Sequence, residues 1–337
     1  MSRVQEDIAH TIQKDELFMP LKDSAILVTG ATGLIGSALL KTLHAANEKY
    51  GLGIRLTGQI RDSEKAKKIF GNLFEKTNFV NKSCGQYDYI VHTVSPTTSR
   101  FFIEHPVETI QTSVGTTGEI LEVARACGAS VVYLSSMEQY GIPYGEEQRM
   151  AEEKIGIIDH LNVRSSYSES KRLCECLCVS YASEYGVNVK IARLAQTFGA
   201  GIPLTDNRMP MQFARAAQEE RDIILHTEGK SVSNFVYLTD AICGILTILL
   251  WGEKGEAYNI CNDEETRTVR EIAELVCSKV CGQRIQVRVE KKENMGYAPD
   301  VVMYLVSDKL RALHWNPEVG MEEAYRRMVE YLEEECK

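Results

Sequence analysis

Two residues that could transfer protons lie four positions apart in the segment SSYSESKRLCECL. Tyr167 and Lys171 fall in a pattern that predicts a helix, and this spacing places both side chains on one helix face. An ammonium about 4 Å from a phenol favours the phenolate by roughly 4 kcal/mol at an effective dielectric of 20, although desolvation of the phenolate opposes that gain. A tyrosine tuned in this way can exchange a proton with a carbinol oxygen near neutral pH. A surface helix can carry the same pair, so the pair alone does not define a site.

A serine stands upstream at the end of a second pattern, VVYLSSMEQYG. The apolar, β-branched run predicts a strand that ends in Ser135 and Ser136. A hydroxyl at this place can donate a hydrogen bond to the oxygen that the tyrosine deprotonates. The chain therefore offers a serine, a phenol and an ammonium for chemistry at one carbinol.

The segment AILVTGATGLIGS supplies a place for a dinucleotide. An apolar strand pattern ends in Thr29, glycines follow at positions 30, 33 and 36, and a helical pattern then begins. Gly30 permits the tight turn, Gly33 lets the backbone approach a pyrophosphate, and Gly36 lets the helix pack on the strand. The pyrophosphate would lie at the helix N-terminus. In this order, the glycine turn, the serine and the Tyr-x-x-x-Lys pair together are far more specific than any one of them.

Strand and helix patterns alternate along the first two thirds of the chain, which predicts a doubly wound parallel α/β sheet. The predicted strands are Ala25–Thr29, Ile54–Gln59, Tyr89–Thr93, Val131–Leu134 and Val189–Leu194. The predicted helices are Leu34–Ala46, Ser63–Phe70, Pro106–Cys127 and Tyr167–Tyr185.

The pattern changes after Gly199, so we predict three parts. Residues 1–20 form an N-terminal helical extension, with a short helix from Ser2 to about Lys14. Residues 21–200 form the dinucleotide-binding domain, to which residues 234–260 return. Residues 201–233 and 261–337 form a smaller α/β lobe.

With these motifs the chain resembles the extended short-chain dehydrogenase/reductases of the NAD-dependent epimerase/dehydratase family, which act on nucleotide sugars. The resemblance runs from about Leu21 to the C-terminus and implies a Rossmann-type sheet with a C-terminal lobe that grips the nucleotide half of the substrate. It also implies that Tyr167 is the acid/base, that Ser136 holds the reacting oxygen, and that Lys171 binds the nicotinamide ribose. The segments that carry it, besides the glycine turn, are DYIVHTVSP (88–96), LSSMEQYG (134–141), YSESK (167–171), IARLAQTFGAG (191–201), SNFVYLTDA (233–241), AYNICND (257–263) and HWNPEVGMEEAYRRMVEYL (314–332).

The resemblance implies NAD or NADP as cofactor, and the sequence leaves the choice open. In an NAD site an acidic residue after the second strand binds the ribose hydroxyls, whereas in an NADP site an arginine there accommodates the 2′-phosphate. The segment at this place reads RLTGQIRDSEKAKK. No acidic residue stands at the strand end, and Arg61 and then Lys68 follow it. Arg61 either pairs with a 2′-phosphate or stacks over adenine. The residues expected to hold the dinucleotide are Gly30, Thr32, Gly33, Leu34, Ile35, Gly36, Arg61, Lys68, Thr93, Tyr167 and Lys171.

The two residues after Ser136 bear on the reaction. The family's 4,6-dehydratases carry an Asp-Glu pair there, in which the first acid protonates the leaving hydroxyl and the second removes a proton from carbon. This chain has Met137, which cannot donate a proton, and Glu138, which is either that base or a ligand for a sugar hydroxyl. Sugar-acid decarboxylases of the family keep the glutamate but also use an arginine near an Arg-x-Pro, and the comparable stretch 296–300 reads GYAPD. Decarboxylation is therefore disfavoured.

Further residues are expected to touch substrate by the same resemblance. The arginine that commonly helps to hold the substrate diphosphate is Ser233 here, so Arg208 or Arg193 would take its place. The expected substrate-binding residues are Ser95, Met137, Glu138, Gln196 and Arg208.

Composition limits the kinds of partner that the protein is expected to bind. The net charge is −9 and no basic stripe interleaved with aromatics occurs, which argues against nucleic acid. The longest apolar run, Ala241–Trp251, is too short to span a bilayer, and the first residues lack the apolar core of a signal peptide. We expect a cytoplasmic enzyme without a membrane partner, whose ten cysteines are reduced and whose sequence holds no metal site.

We conclude that the sequence predicts NAD(P)-dependent modification of a nucleotide-linked sugar by hydride transfer at a carbinol, of epimerase or dehydratase type. One alternative is a net NADPH-dependent reductase of a keto sugar that yields, for example, a nucleotide-linked alditol. A remote alternative is a dinucleotide-sensing protein without catalysis. The family commonly pairs through two core helices, so we also expect a homodimer through Pro106–Cys127 and Tyr167–Tyr185.

Overall fold

The central element is a seven-stranded sheet in which every pairing is parallel. A computed structural model describes residues 1–96, 98–145, 148–291 and 301–336. The sheet order within these residues is β12 (Ala257–Ile260), β7 (Val189–Leu194), β5 (Ser130–Ser136), β4 (Tyr89–His92), β1 (Ala25–Thr29), β2 (Arg55–Gln59) and β3 (Asn78–Val80). Because the chain leaves β1 in one direction towards β3 and in the other towards β12, the connections diverge between β1 and β4. The predicted doubly wound α/β class is confirmed.

The strands and helices have the following bounds. The strands are β1 Ala25–Thr29, β2 Arg55–Gln59, β3 Asn78–Val80, β4 Tyr89–His92, β5 Ser130–Ser136, β6 Arg149–Met150, β7 Val189–Leu194, β8 Gln196–Phe198, β9 Ile223–Leu225, β10 Val232–Ser233, β11 Phe235–Tyr237, β12 Ala257–Ile260, β13 Arg267–Thr268, β14 Val287–Val289 and β15 Tyr304–Leu305. The helices are α1 Arg3–Thr11, α2 Leu34–Tyr50, α3 Ser63–Phe70, α4 Ser99–Glu104, α5 Pro106–Cys127, α6 Ser165–Glu184, α7 Met209–Gln218, α8 Leu238–Trp251, α9 Val269–Leu275, α10 Asp308–Arg311 and α11 Met321–Glu335.

Local sequence explains where these elements stop. Helix α2 runs one turn beyond the predicted end and stops at Gly51, which has φ 61°. Helix α5 stops at Gly128, with φ 74°. Both glycines take the left-handed conformation that ends many helices and that costs a residue with a Cβ about 1–2 kcal/mol. The strands of the sheet centre are buried on both faces, which explains their continuous apolar runs.

The N-terminal helix α1 packs against α2, α8 and the last helix, α11. Helix α1 begins with a capping box between Ser2 and Gln5. The buried carboxylate of Asp7 accepts hydrogen bonds from the Tyr237 hydroxyl at 2.6 Å and from Arg327 at 3.0 Å. These bonds join α1 to β11 and to α11, so the segment is part of the folded unit.

The C-terminal elements build a second apolar core. It lies between α7, α9 and α11, with β9 and β14 beside it, and includes Met211, Ile272 and Tyr325. Strand β6 pairs with β15 and thereby links the loop after β5 to this region. No helix among the described residues is long and apolar enough to cross a membrane.

A buried histidine lies under the point where the connections diverge. The His92 ring hydrogen-bonds Thr29 Oγ1 at 2.7 Å through Nδ1 and Thr117 Oγ1 at 3.2 Å through Nε2. Burial, with the nearby charge of Lys171, lowers the pKa of His92 to about 3. The imidazole is therefore neutral at physiological pH and ties β4 to β1 and α5.

We predict that this histidine makes the fold sensitive to acid. The folded-state pKa of His92 lies below its unfolded value near 6.5, so between pH 3 and 6.5 the unfolded chain binds more protons and stability falls as pH falls. The unfolding free energy of the wild type should lose about 2 kcal/mol more than that of H92Q between pH 7 and pH 5. Urea unfolding at both pH values measures the difference, and parallel losses in the two proteins would contradict the assignment.

Candidate active site

The glycine turn connects β1 to α2 with no room for side chains. Gly30 has φ 61°, and a Cβ there would lie 2.6 Å from Thr93 Oγ1. A Cβ on Gly36 would lie 2.5 Å from the carbonyl oxygen of Gly30. The amide of Gly33 donates to that same oxygen at 2.9 Å. The turn is thus drawn tightly over the start of the helix, as close helix–strand packing requires.

The first turn of α2 leaves backbone N–H groups free for an anion. Gly33 is the N-cap residue and provides no side-chain cap. Thr32 precedes it, and Leu34 and Ile35 are the first two residues of the helix. The amides at a helix N-terminus favour phosphate. These residues and Thr93, whose hydroxyl donates to the Thr29 carbonyl at 2.7 Å, lie at the carboxyl ends of β1 and β4. The cradle fits the pyrophosphate of a dinucleotide.

The predicted catalytic residues meet at the same edge of the sheet. Ser136 is the last residue of β5, and Tyr167 and Lys171 lie one turn apart on α6. Lys171 is buried, donates to the Leu134 carbonyl at 2.7 Å and has its Nζ 5.7 Å from the centroid of the Tyr167 ring. The phenol ring of Tyr167 stacks on Phe102, with ring centroids 4.3 Å apart.

Burial is the main influence on the protonation states of Tyr167 and Lys171. Burial, reinforced by the charge of Glu138, raises the pKa of Tyr167, and a hydrogen bond with Ser136 and the charge of Arg208 only partly oppose this. Burial lowers the pKa of Lys171 to about 8. The sequence predicted that the ammonium favours the phenolate and that desolvation opposes it; in this structure desolvation of the buried phenol is the largest effect, and the pKa of Tyr167 is raised. At neutral pH the phenol is protonated and the lysine is mostly charged.

The short 3-10 turn Met137–Tyr140 presents the next residues. The Ser136 hydroxyl accepts from the Glu138 amide at 3.2 Å and so caps the turn. Met137 is buried, whereas the Glu138 carboxylate is part-exposed, near Tyr167, and lies 3.4 Å from Nη1 of Arg164. Glu138 is the carboxylate that the structure brings beside the phenol.

The two arginines considered for the diphosphate have different surroundings. Arg208 pairs with Asp206 at 2.9 Å, donates to the Thr197 carbonyl at 3.3 Å and lies close enough to Tyr167 to affect its pKa. Arg193 is instead an internal residue, bound to both oxygens of the Glu175 carboxylate, with a shortest distance of 2.7 Å. The expectation that Arg193 could take the diphosphate is wrong, because its guanidinium is already used.

The remaining predicted residues lie around this centre. Ser95 follows β4, and its buried hydroxyl has no hydrogen-bond partner among the described residues. Gln196 is exposed at the start of β8. Arg61 follows β2 and Lys68 lies on α3, and both are exposed. The stretch 296–300 lies outside the described residues, which hold no group of three or more potential metal ligands.

Sequence reasoning missed three residues of the site. Phe102 covers Tyr167 from a short helix that the patterns did not predict. Arg164 approaches Glu138 from the start of α6, and Arg172 bonds the carbonyls of Gln139 and Tyr140. Arg172 follows Lys171 directly, but nothing in the sequence shows which backbone it meets.

The doubly wound parallel sheet and the groups gathered at its edge match the short-chain dehydrogenase/reductases that the sequence resembles. A model of the NAD dependent epimerase/dehydratase family matches residues 26–261. The chain therefore belongs to that family of enzymes, as predicted, and its cofactor is a nicotinamide dinucleotide.

Curated relatives cover nearly the whole chain. UDP-glucuronic acid decarboxylase 6 of Arabidopsis thaliana is 30% identical over 308 residues, which are 90% of this chain and 88% of the relative. UDP-glucuronic acid decarboxylase 1 of Danio rerio is 29% identical over 326 residues, 95% of this chain and 75% of the relative.

Solved structures share the fold at lower identity. The UDP-glucose 4-epimerase of Thermotoga maritima, solved with UDP-glucose, has a TM-score of 0.75 at 20% identity and covers 93% of this chain and 100% of its own. WbmF of Bordetella bronchiseptica, solved with NAD⁺ and UDP, has a TM-score of 0.73 at 19% identity and covers 94% of each chain. RMD of Pseudomonas aeruginosa, solved with NADPH, has a TM-score of 0.69 at 19% identity and covers 92% of this chain and 99% of its own.

Proposed function

We propose that the protein oxidises a carbinol of a nucleotide-linked sugar and later reduces the resulting keto group, so that the cofactor is regenerated within one turnover. The assembly of Ser136, Tyr167 and Lys171 beside the glycine cradle carries this proposal. A bound nicotinamide supplies the hydride acceptor and donor.

The three side chains divide the proton transfer. Ser136 binds the reacting oxygen, and Tyr167 takes its proton as the carbon–hydrogen bond breaks and returns the proton when the keto group is reduced. Because burial raises the pKa of Tyr167, the side chain is a protonated phenol at neutral pH, which is the state that the return step needs. For the first step the phenol must release this proton to solvent before it can accept the proton of the carbinol. The ammonium of Lys171, held by the Leu134 carbonyl, stabilises the phenolate that the first step needs.

Glu138 decides what happens to the keto intermediate. A keto group acidifies the hydrogen on the neighbouring carbon, and the Glu138 carboxylate lies on the same side of the site as the phenol. Removal of that hydrogen followed by reprotonation from solvent on the opposite face gives an epimer, whereas protonation of a neighbouring hydroxyl by an acid leads to its loss as water. Met137 offers no such acid, so epimerisation fits these residues better than dehydration.

The curated relatives make UDP-glucuronic acid the first substrate to test. A 4-keto uronic acid is a β-keto acid and can lose carbon dioxide. The decarboxylase arginine is absent from the stretch GYAPD (296–300), which argues for a different outcome from that of the relatives.

A panel of nucleotide sugars tests the proposal. UDP-glucuronic acid, UDP-glucose, UDP-N-acetylglucosamine, dTDP-glucose, GDP-mannose and CDP-glucose are each incubated with the enzyme and sub-stoichiometric NAD⁺, and products are followed by NMR. We expect many turnovers per NAD⁺ with one nucleotide series, with an epimer, a keto-deoxy sugar or carbon dioxide identifying the branch. A parallel set with one equivalent of NADPH tests the reductase alternative, which the arginine at position 61 favours: consumption of one NADPH per product would support it.

The choice between NAD and NADP depends on Arg61. We propose that the exposed Arg61, with Lys68 on the next helix, accommodates a 2′-phosphate. R61A should then weaken NADP binding about ten-fold, the loss of one charge-assisted contact, while the Kd for NAD changes little. Calorimetric titration with both cofactors measures this, and equal losses for NAD and NADP would show that Arg61 stacks over adenine.

We further propose that the enzyme is a homodimer that pairs through α5 and α6. Apolar side chains on these helices remain exposed in the single chain, namely Val107, Ile110, Leu173 and Val179. Exposed apolar side chains of this kind often mark a surface that a protein–protein interface buries. Sedimentation equilibrium should give twice the 37.8 kDa chain mass, and a monomer at micromolar concentration would contradict the proposal.

A further inference from the structure

The catalytic groups come from two separate elements. Ser136 and Glu138 belong to the end of β5 and its 3-10 turn, whereas Tyr167 and Lys171 belong to α6. Their mutual distances therefore depend on how α6 is attached to that turn. Proton transfer requires a heavy-atom distance of about 2.6–3.2 Å, so a small displacement of one element has a large effect on rate.

Side chains of α6 make a row of hydrogen bonds to β5 and the turn. Lys171 donates to the Leu134 carbonyl at 2.7 Å, and Glu175 accepts from the Ser135 hydroxyl at 2.5 Å. Arg172 donates through Nε to the Gln139 carbonyl at 2.6 Å and through Nη2 to the Tyr140 carbonyl at 3.0 Å. Lys171 and Glu175 hold the strand, while Arg172 holds the turn that carries Glu138.

Arg172 also holds the loop that returns from this turn. Its Nη2 donates to the Gly156 carbonyl at 2.8 Å. At the same place Ile142 and Ile157 exchange two backbone hydrogen bonds of 2.8 Å. A Cβ on Gly156 would lie 2.3 Å from the Ile142 carbonyl oxygen, so the two backbones are in direct contact. One guanidinium thus binds three carbonyl oxygens from two segments.

We infer that Arg172 is a positioning residue that fixes Glu138 relative to Tyr167 by clamping the turn Met137–Tyr140 and the base of the loop 142–157 to α6. The inference rests on the proposed function, in which Glu138 acts on the keto intermediate. A planar guanidinium presents donors in a fixed fork and can hold several carbonyls at set relative positions, whereas a lysine ammonium is a point charge on a flexible stem. The geometry therefore requires arginine rather than positive charge alone.

The first test is a double-substitution cycle, run with the nucleotide sugar of the panel that the wild type turns over fastest. R172A, R172K, E138Q and R172A/E138Q are compared with the wild type in kcat, KM and NAD⁺ affinity. R172A should lower kcat about 100-fold and R172K about 10-fold, with KM and NAD⁺ affinity within about three-fold, because a misplaced group costs rate rather than binding. In the E138Q background R172A should cost less than about three-fold, since residues that act together are not additive.

Two outcomes would overturn the inference. If R172A costs the same factor with and without the Glu138 carboxylate, Arg172 has only a general structural role. If R172A or R172K retains wild-type kcat, no clamp is needed. R284A, which breaks an exposed ion pair with Glu220, serves as the control and should match the wild type.

The second test needs no substrate. Hydrogen exchange of the NAD⁺-bound protein should show faster exchange at the amides of Ile142 and Ile157 in R172A, and slow exchange in β1 and β5 as in the wild type. Unchanged exchange at the two isoleucines would refute the clamp itself. If the wild type forms no enzyme-bound NADH with any nucleotide sugar of the panel, the proposed function fails instead, and the exchange result still decides whether Arg172 holds the base of the loop.

Discussion

Replacing Tyr167 by Phe should lower kcat by about 1,000-fold, within the range of 10²–10⁴ that a positioned acid/base supplies. The substitution removes one oxygen and keeps the ring that stacks on Phe102 at 4.3 Å. It also removes the desolvation of a buried phenol, so the folded protein should be at least as stable as before. Steady-state assays with the substrate found in the panel give kcat, and calorimetric titration gives the NAD⁺ affinity, which should stay within about three-fold.

The control for this experiment is Y144F, since Tyr144 is exposed and lies outside the Ser136–Tyr167–Lys171 set. Y144F should match the wild type in kcat. Full turnover by Y167F would show that Tyr167 is not the acid/base. Unchanged biological activity of Y167F together with unchanged dinucleotide binding would favour the sensing alternative over chemistry.

Sequence patterns predicted the sheet well because its centre depends on local signals. The bounds of β1 and β7 were predicted to the residue, and α3 and α5 likewise. Their apolar runs and terminal glycines act within a few residues of chain. The short strand β3 was missed, because three residues with no alternation give no pattern to detect.

The sequence predicted which side chains the structure brings together at this edge of the sheet, but not their electrostatics. Ser136, Tyr167 and Lys171 were found from type and spacing, since the requirement for one helix face is local. The pKa of Tyr167 depends on burial and on Glu138, which a different segment brings near. Phe102 contributes to that enclosure from helix α4, 65 residues before the tyrosine in the chain. Such a long-range enclosure leaves no signal at the tyrosine itself.

Arg193 is a second residue whose surroundings the sequence did not predict, because its partners lie in other segments of the chain. In the sequence it is a cation on a strand that leads to the active site, and such a cation suggests a phosphate ligand. In the structure, β7 lies beside β5 and turns this side chain towards α6, where Glu175 binds it bidentately. The guanidinium also donates to the Tyr140 hydroxyl at 2.8 Å and to the Glu152 carbonyl at 2.7 Å. The pair is internal, with side chains 11% and 9% exposed.

Removing only Arg193 should therefore be among the most destabilising changes in the protein. R193M leaves the Glu175 carboxylate buried without its cation, and breaking a buried pair in this way costs about 3–5 kcal/mol. The double variant R193M/E175M removes both charges and should regain most of that loss, because well-packed apolar residues often replace a buried pair at little cost. Urea unfolding followed by circular dichroism measures both variants, with R284M as the exposed-pair control that should stay within about 1 kcal/mol.

The double variant also separates stability from catalysis. Glu175 accepts from the Ser135 hydroxyl, and Arg193 binds the Tyr140 hydroxyl, so the pair supports both ends of the segment that carries Ser136 and Glu138. R193M/E175M should consequently be folded yet slower in kcat, by about 10-fold or more, since a loosened support misplaces the reacting groups. Equal stability of R193M and R193M/E175M would show that the cost comes from lost packing, and an unchanged kcat in the double variant would show that Arg172 and Lys171 suffice to hold the segment.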